Sequence, residues 1–213
     1  MNERERTSVS TAEPRLRLAG PEPLTDCQTL LGRLVAADPA ALVRLQASGP
    51  SVAVWAQPLG VVVRRDITGT LDVADRTVAA ADLWQRLRGN PAELPAADDT
   101  AWRVSLPPRT GWELLDEVPV EALHQLALGA ASLLPTAPDL AGLYDQTVLT
   151  VSSAAGAVSL RLRVVLALDR LGFLPADSTG EVARVACTPA WARIATRIGT
   201  AYQRRVSVGL GLG

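Results

Sequence analysis

The sequence predicts an α+β protein: an N-terminal antiparallel sheet with helices, followed by a C-terminal mostly helical unit. Three observations carry that expectation. Residues 24–38 repeat apolar side chains at helical spacing, with Leu30, Leu31, Leu34 and Val35 on one face. The next forty residues change to short β-rich runs separated by the turn-forming SGP and PLG. From Val118 onward, runs of Ala and Leu broken by Pro and Gly read as a series of helices.

Taken in order, residues 1–14 are polar and without periodicity and read as a disordered tail. The α+β unit spans 15–115. Leu16 to Leu18 is an edge-strand candidate, and Thr25 or Asp26 offers an N-cap for the 24–38 helix, which Pro39 ends. Within the meander, Val52, Val54 and Ala56 fall on one face of a strand and Ala53 and Trp55 on the other, so both faces of the sheet should be covered. The run TLDVADRTV extends this sheet. Residues 79–88 read as a helix with Leu83, Trp84 and Leu87 on one face. Gly89, Asn90 and Pro91 break the chain, 101–106 (AWRVSL) is a strand candidate, and PPRTGW is a turn.

The second unit spans 116–205. A helix is expected over 120–134, near Pro119, and a second after Asp139, whose β-branched end TVLTVSS fits a strand equally well. SSAAGA is a flexible link. The segment beginning at Ser159 reads as an arginine-bearing helix closed by Gly172, followed by a hairpin. Thr188 and Pro189 read as the start of a last helix carrying Trp191, Ile194, Ile198 and Tyr202 on one face, and 206–213 is a Gly-rich tail.

Three helices, a glycine stop and a hairpin make a winged-helix-like order. The segment SLRLRVVLALDRLGFLP resembles the third helix of winged helix-turn-helix regulators. That resemblance implies a DNA-binding regulator, with Arg161, Arg163, Arg170 and the hairpin Arg184 as nucleic-acid contacts. On a helical projection, however, Leu162 and Leu166 occupy the side that would face the groove, where Asn, Gln, Ser or Arg would read bases. They point instead to packing or a protein partner. PPRTGW, LDRLGFLP and RIGTAYQRR are also similar to segments of uncharacterised proteins of actinobacteria, a resemblance that implies no activity.

Composition narrows the function classes. The chain has 48% hydrophobic and 20% charged residues and a formal net charge of -1, as in a folded protein with no overall polyanion-binding character. All 21 basic residues are arginine, as in proteins of GC-rich genomes. Charge is uneven: residues 1–158 hold 13 arginines against 19 acids, whereas 159–205 hold 8 arginines against Asp169, Asp177 and Glu181. Cys27 and Cys187 form no ligand motif and read as buried thiols, with their pairing left open. No signal peptide or membrane span is evident, which places the protein in the cytoplasm.

Chemistry-bearing motifs are sparse. His124, the single histidine, lies in an apolar helix and reads as structural. Asp98 and Asp99 read as solvated loop acids, and Ser152 and Ser153 lack a nucleophile-elbow context. The terminal GLGLG has no helix after it, and no phosphate loop is present. No catalytic residue, cofactor site or metal site is therefore assigned. Of the five tryptophans, Trp102 and Trp112 flank LPPRTG and are candidate partner contacts alongside Leu162 and Leu166. The expected function is a non-catalytic interaction or regulatory module contacting another protein or a second copy of itself. DNA binding is the alternative, and a small-molecule enzyme between the two units is the third reading.

Overall fold

The computed structural model describes residues 13–88, 92–154, 156–175 and 177–205. The expected tails, apart from residues 13 and 14, and the break at 89–91 lie outside the described residues. The fold is α+β, built on one long antiparallel sheet with helices on one face.

The first half runs β1 (Arg15–Leu18), α1 (Pro21–Ala37), β2 (Leu42–Ser48), β3 (Ser51–Ala56), β4 (Val62–Leu71), β5 (Asp75–Ala79), α2 (Ala80–Arg86) and β6 (Ala92–Glu93). The second half runs β7 (Glu113–Pro119), α3 (Val120–Leu133), α4 (Leu140–Asp145), β8 (Thr147–Ser153), β9 (Gly156–Arg161), α5 (Leu162–Arg170), β10 (Val182–Cys187), β11 (Trp191–Ala195) and β12 (Thr200–Arg204). The strands line up as β5-β2-β3-β4-β12-β11-β10-β7, and β8 and β9 form a separate hairpin.

The two halves join at β4. Its first residues pair with β12 (Val62 opposite Tyr202, Arg64 opposite Thr200), and its last residues pair with β1 (Gly69 opposite Leu18, Leu71 opposite Leu16). Arg65 sits where the partner changes. Its Nε donates to Asp26 of α1 at 2.8 Å, and its Nη1 donates to the Ile198 carbonyl at 2.8 Å. One side chain thus ties the first helix to the β11–β12 turn, and the pair is largely shielded from solvent.

The alternation read in the meander decides which side chain goes where. Val52, Val54 and Ala56 enter the large core beneath the helices, together with Leu31 and Leu34 of α1, Leu83 of α2, Leu123 of α3 and Leu168 of α5. Ala53 and Trp55 face the other way. They form a second cluster with Val62, Trp191 and Tyr202, covered by Trp102, Val104, Leu106 and Trp112 of the connecting segment. That segment, expected to contain a strand over 101–106, runs as an irregular strap across the outer sheet face.

The second half departs from the expected mostly helical, winged-helix-like unit: it contributes six strands. After Asp139, the helix stops at Asp145 and the β-branched TVLTVSS becomes β8, paired with β9. Ser159 to Arg161 belong to β9, so α5 is only the nine residues from Leu162, between a hairpin and a strand. Gly172 does close it, at φ 69. The expected last helix is instead β11 and β12. Thr188 makes a tight turn: its N–H donates to the Trp191 carbonyl at 2.8 Å, and its hydroxyl accepts the Trp191 N–H at 3.1 Å. Trp191, Ile194 and Tyr202 suit a helix face by spacing, but pairing with β10 and β4 requires period-two alternation.

Candidate functional site

Just before β4, Pro58–Gly60 makes a tight turn in which Leu59 adopts φ 53 and Gly60 φ 73. A left-handed leucine is costly, by about 1–2 kcal/mol. Two contacts hold it: the Leu59 side chain packs against the cluster of Ala130, Leu162 and Leu166, and its carbonyl accepts Arg163 Nη1 at 3.3 Å. The strap passes on the other side, with Trp102 Nε1 donating to the Val104 carbonyl at 2.7 Å. This turn therefore lies where the two halves and the strap meet, and a hollow opens on each side of it.

The first hollow is a cleft of about 500 Å³. Leu34 and Leu42, Pro58 and Leu59, Trp102 and Leu171 give it apolar walls, and Asp38, Gln57, Arg103 and Arg170 supply polar groups. No histidine, cysteine, serine or threonine lines it, so it contains no nucleophile–base pair. His124 is used elsewhere: its Nε2 lies 3.0 Å from the Pro175 carbonyl and its Nδ1 3.6 Å from Asp169. Among the described residues, no group of three His, Cys, Asp or Glu is arranged to hold a metal ion.

The second hollow, about 270 Å³, is lined by Arg161, Arg163 and Arg204, with Gln57, Trp191, Tyr202 and Gln203. Asp145 pairs with both Arg161 (2.7 Å) and Arg163 (2.9 Å). Beneath it lies a layer of aromatic rings and guanidinium groups. Arg64 sits 5.2 Å above Trp55, Arg193 4.5 Å above Trp112 and Arg204 4.7 Å above Trp191, while Tyr202 packs between Trp55 and Trp112. Burial pushes the Tyr202 hydroxyl above the usual tyrosine range and pulls the Arg193 guanidinium below its usual value. A third hollow, beside α1 and β4, is lined by Glu22, Asp26 and Asp66, but its two aspartates are already paired with Arg65 and Arg64.

The residues expected at functional surfaces scatter. Leu162 and Leu166 are 3% and 2% exposed and pack internally, so neither offers an apolar surface to a partner or a face to a DNA groove. Trp102 lines the cleft, whereas Trp112 pins the strap, its Nε1 donating to the Pro108 carbonyl at 2.9 Å. Arg161 and Arg163 come together at the second hollow, Arg170 lies at the cleft, and Arg184 is far along β10, paired with Glu117 at 3.1 Å. Asp98 and Asp99 cap the β5 edge: the Asp98 N–H donates to the Thr77 carbonyl and an Asp99 carboxylate oxygen accepts the Thr77 N–H. Sequence reasoning missed Leu59, Gln57 and Arg204. Of these only the PLG turn left a local signal, since the others gain meaning from partners far along the chain.

Residues 11–104 match the family model of one domain of unknown function, DUF8010, and residues 107–208 that of another, DUF8185. No curated protein sequence matches the chain. Among solved structures it is similar to the DNA polymerase sliding clamp of Bacillus subtilis, with a TM-score of 0.59 and 10% identity over 92% of this chain and 65% of that one. The Caulobacter crescentus clamp gives 0.57 and 14% over 91% and 65%, and the DNA polymerase beta subunit of Streptococcus pyogenes gives 0.57 and 9% over 90% and 64%. The chain spans slightly less than two thirds of the length of these structures. Two family models that meet within the strap thus cover a chain with a sliding-clamp-like fold.

Proposed function

We propose that this chain is a non-catalytic interaction module that takes an apolar segment of a partner protein into the cleft beside Leu59. The observation that carries this reading is the cleft itself, with apolar walls, a rim in which Arg103 and Arg170 outnumber the single acid Asp38 beside Gln57, and no nucleophile–base pair. Such a lining suits an apolar peptide flanked by acidic residues. The resemblance to clamps, named for their place in DNA polymerase, supports a protein-binding role over an enzymatic one.

Charge on the helix-bearing face weighs against DNA. Across α1, α2, α3 and α5 there are five acids (Glu22, Asp26, Asp82, Glu121, Asp169) against four arginines (Arg33, Arg86, Arg163, Arg170). Duplex binding draws its affinity from a basic surplus over phosphates, and this face has none.

The test is affinity capture from cells of the source, comparing the unaltered chain with a double variant, Ala101→Arg with Arg170→Glu, that fills the cleft and reverses its rim. A protein retained by the first and lost by the second supports the reading. The same proteins captured by both, or duplex DNA retained in a salt-sensitive manner, would overturn it.

A further inference from the structure

We infer that the arginine-lined hollow at the start of α5 is an anion site for the phosphate group of a small ligand, separate from the peptide cleft. Three guanidinium groups, those of Arg161, Arg163 and Arg204, line a space of about 270 Å³ whose lining contains no carboxylate. The nearby counter-charge is Asp145, which Arg161 and Arg163 share at 2.7 and 2.9 Å. Arg204 stacks on Trp191 and has no carboxylate partner among the described residues. Three positive charges against one negative leave a surplus of two, the charge of a phosphate monoester dianion.

Arg163 is also under-satisfied. Its Nη1 reaches the Leu59 carbonyl at a long 3.3 Å, its Nη2 reaches Asp145, and its Nε is buried without any acceptor. A guanidinium in that position gains from an oxyanion that accepts several donors at once. The N-terminus of α5 adds to the same field, since Arg161 is its N-cap and its first turn carries neither an acidic residue nor a side-chain cap. The size sets the ligand class: about 270 Å³ lies below the roughly 300–1,000 Å³ of pockets that enclose drug-sized molecules, so it holds a phosphate with a small substituent.

The experiment is calorimetric titration in a phosphate-free, low-chloride buffer with inorganic phosphate, ribose 5-phosphate and acetate. Saturable binding of either phosphate, with acetate much weaker, supports the site, and the stronger of the two identifies free or organic phosphate as the source. Arg204→Gln should weaken binding about tenfold, as expected for one charge-assisted contact. Asp145→Asn should tighten it several-fold, because the competing carboxylate is gone. Arg184→Gln, at a distant pair, should leave it unchanged. Arg204 and Asp145 are side chains whose loss leaves the core intact, and a thermal melt verifies each fold. Absence of phosphate binding at 10 mM, equal binding by Arg204→Gln, or weaker binding by Asp145→Asn would overturn the proposal. None of these results bears on the peptide cleft, which shares only Gln57 with this hollow.

Discussion

Cys27 lies on the inner face of α1 with no solvent exposure. Burial, with a further contribution from the neighbouring Asp26 charge, pushes its thiol from an ordinary value near 9.0 up to about 12, against an opposing pull from Arg65. In the unfolded chain this thiol loses its proton near pH 9, while the native chain keeps it. Above pH 9 the unfolded state binds fewer protons, so stability falls as pH rises and continues to fall until the native thiol titrates. At about 1.36 kcal/mol per pH unit, the full gap corresponds to about 4 kcal/mol, and at about pH 10.5 about 2 kcal/mol is already lost. The experiment compares Cys27→Ala with the unaltered chain by urea denaturation from pH 7 to 11. At neutral pH the variant should be less stable by about 1–2 kcal/mol, from lost contact and a small cavity. That deficit should shrink above pH 9 and reverse near pH 10–11, because only the unaltered chain carries the Cys27 penalty. The chain suits this measurement, since it has no lysine, and its two tyrosines and Cys187 are common to both proteins and cancel in the difference. A stability difference independent of pH between 8 and 11 would refute the reasoning.

Other outcomes follow from packing. A β-carbon on Gly199 would run into the Phe173 ring, itself fully buried, so Gly199→Ala should cost about 1–3 kcal/mol in a urea melt. Leu166→Ala should cost about 2–5 kcal/mol, whereas Leu128→Ala, on the exposed face of α3, should change stability by no more than about 0.5 kcal/mol. Trp112→Ala removes the ring beneath Arg193 and beside Tyr202, and limited proteolysis should then cut the strap between 101 and 112 several-fold faster, with the rest of the fold retained.

Most of the first half was readable because its local signals agreed with the tertiary answer, although α1 starts at Pro21 rather than at a Thr25 or Asp26 cap and 101–106 forms the strap instead of a strand. SGP and PLG mark turns, and Val52, Val54 and Ala56 alternate with Ala53 and Trp55 as a sheet covered on both faces demands. The second half was not, because its signals fit two periods. Trp191, Ile194, Ile198 and Tyr202 are spaced for a helix, yet Ala192 and Ile194 also alternate with Trp191 and Arg193, and the ladder to β4 decides between them. A helical projection of α5 assumes one solvent face, but six of its nine residues are buried, since core lies on one side and the Leu59 turn on the other. The cleft was illegible for a different reason: its walls come from α1 and the start of β2, the PLG turn, the strap and the end of α5. Only folding brings these segments together, and no motif runs through them.

The ends of the long sheet bear on how this fold meets partners. An open, flat strand edge pairs readily with another chain, and both ends of this sheet carry features that oppose such pairing. At β5, the strap supplies the missing ladder: the Asp98 N–H and an Asp99 carboxylate oxygen take up the Thr77 carbonyl and N–H, and Arg76 donates to the Pro95 carbonyl at 3.3 Å. At β7, the register shifts so that Val185 faces Asp116 and Ala186 faces Leu114, leaving Leu115 as the extra residue of a bulge. Glu113, Asp116 and Glu117 along the same strand are exposed acids, and a second copy of it would set like charges opposite each other. Pairing of β7 with a second copy of itself is therefore disfavoured, as is addition of a strand where the strap covers β5. Among the side-chain surfaces away from these edges, the cleft beside Leu59 combines enclosure with an apolar lining.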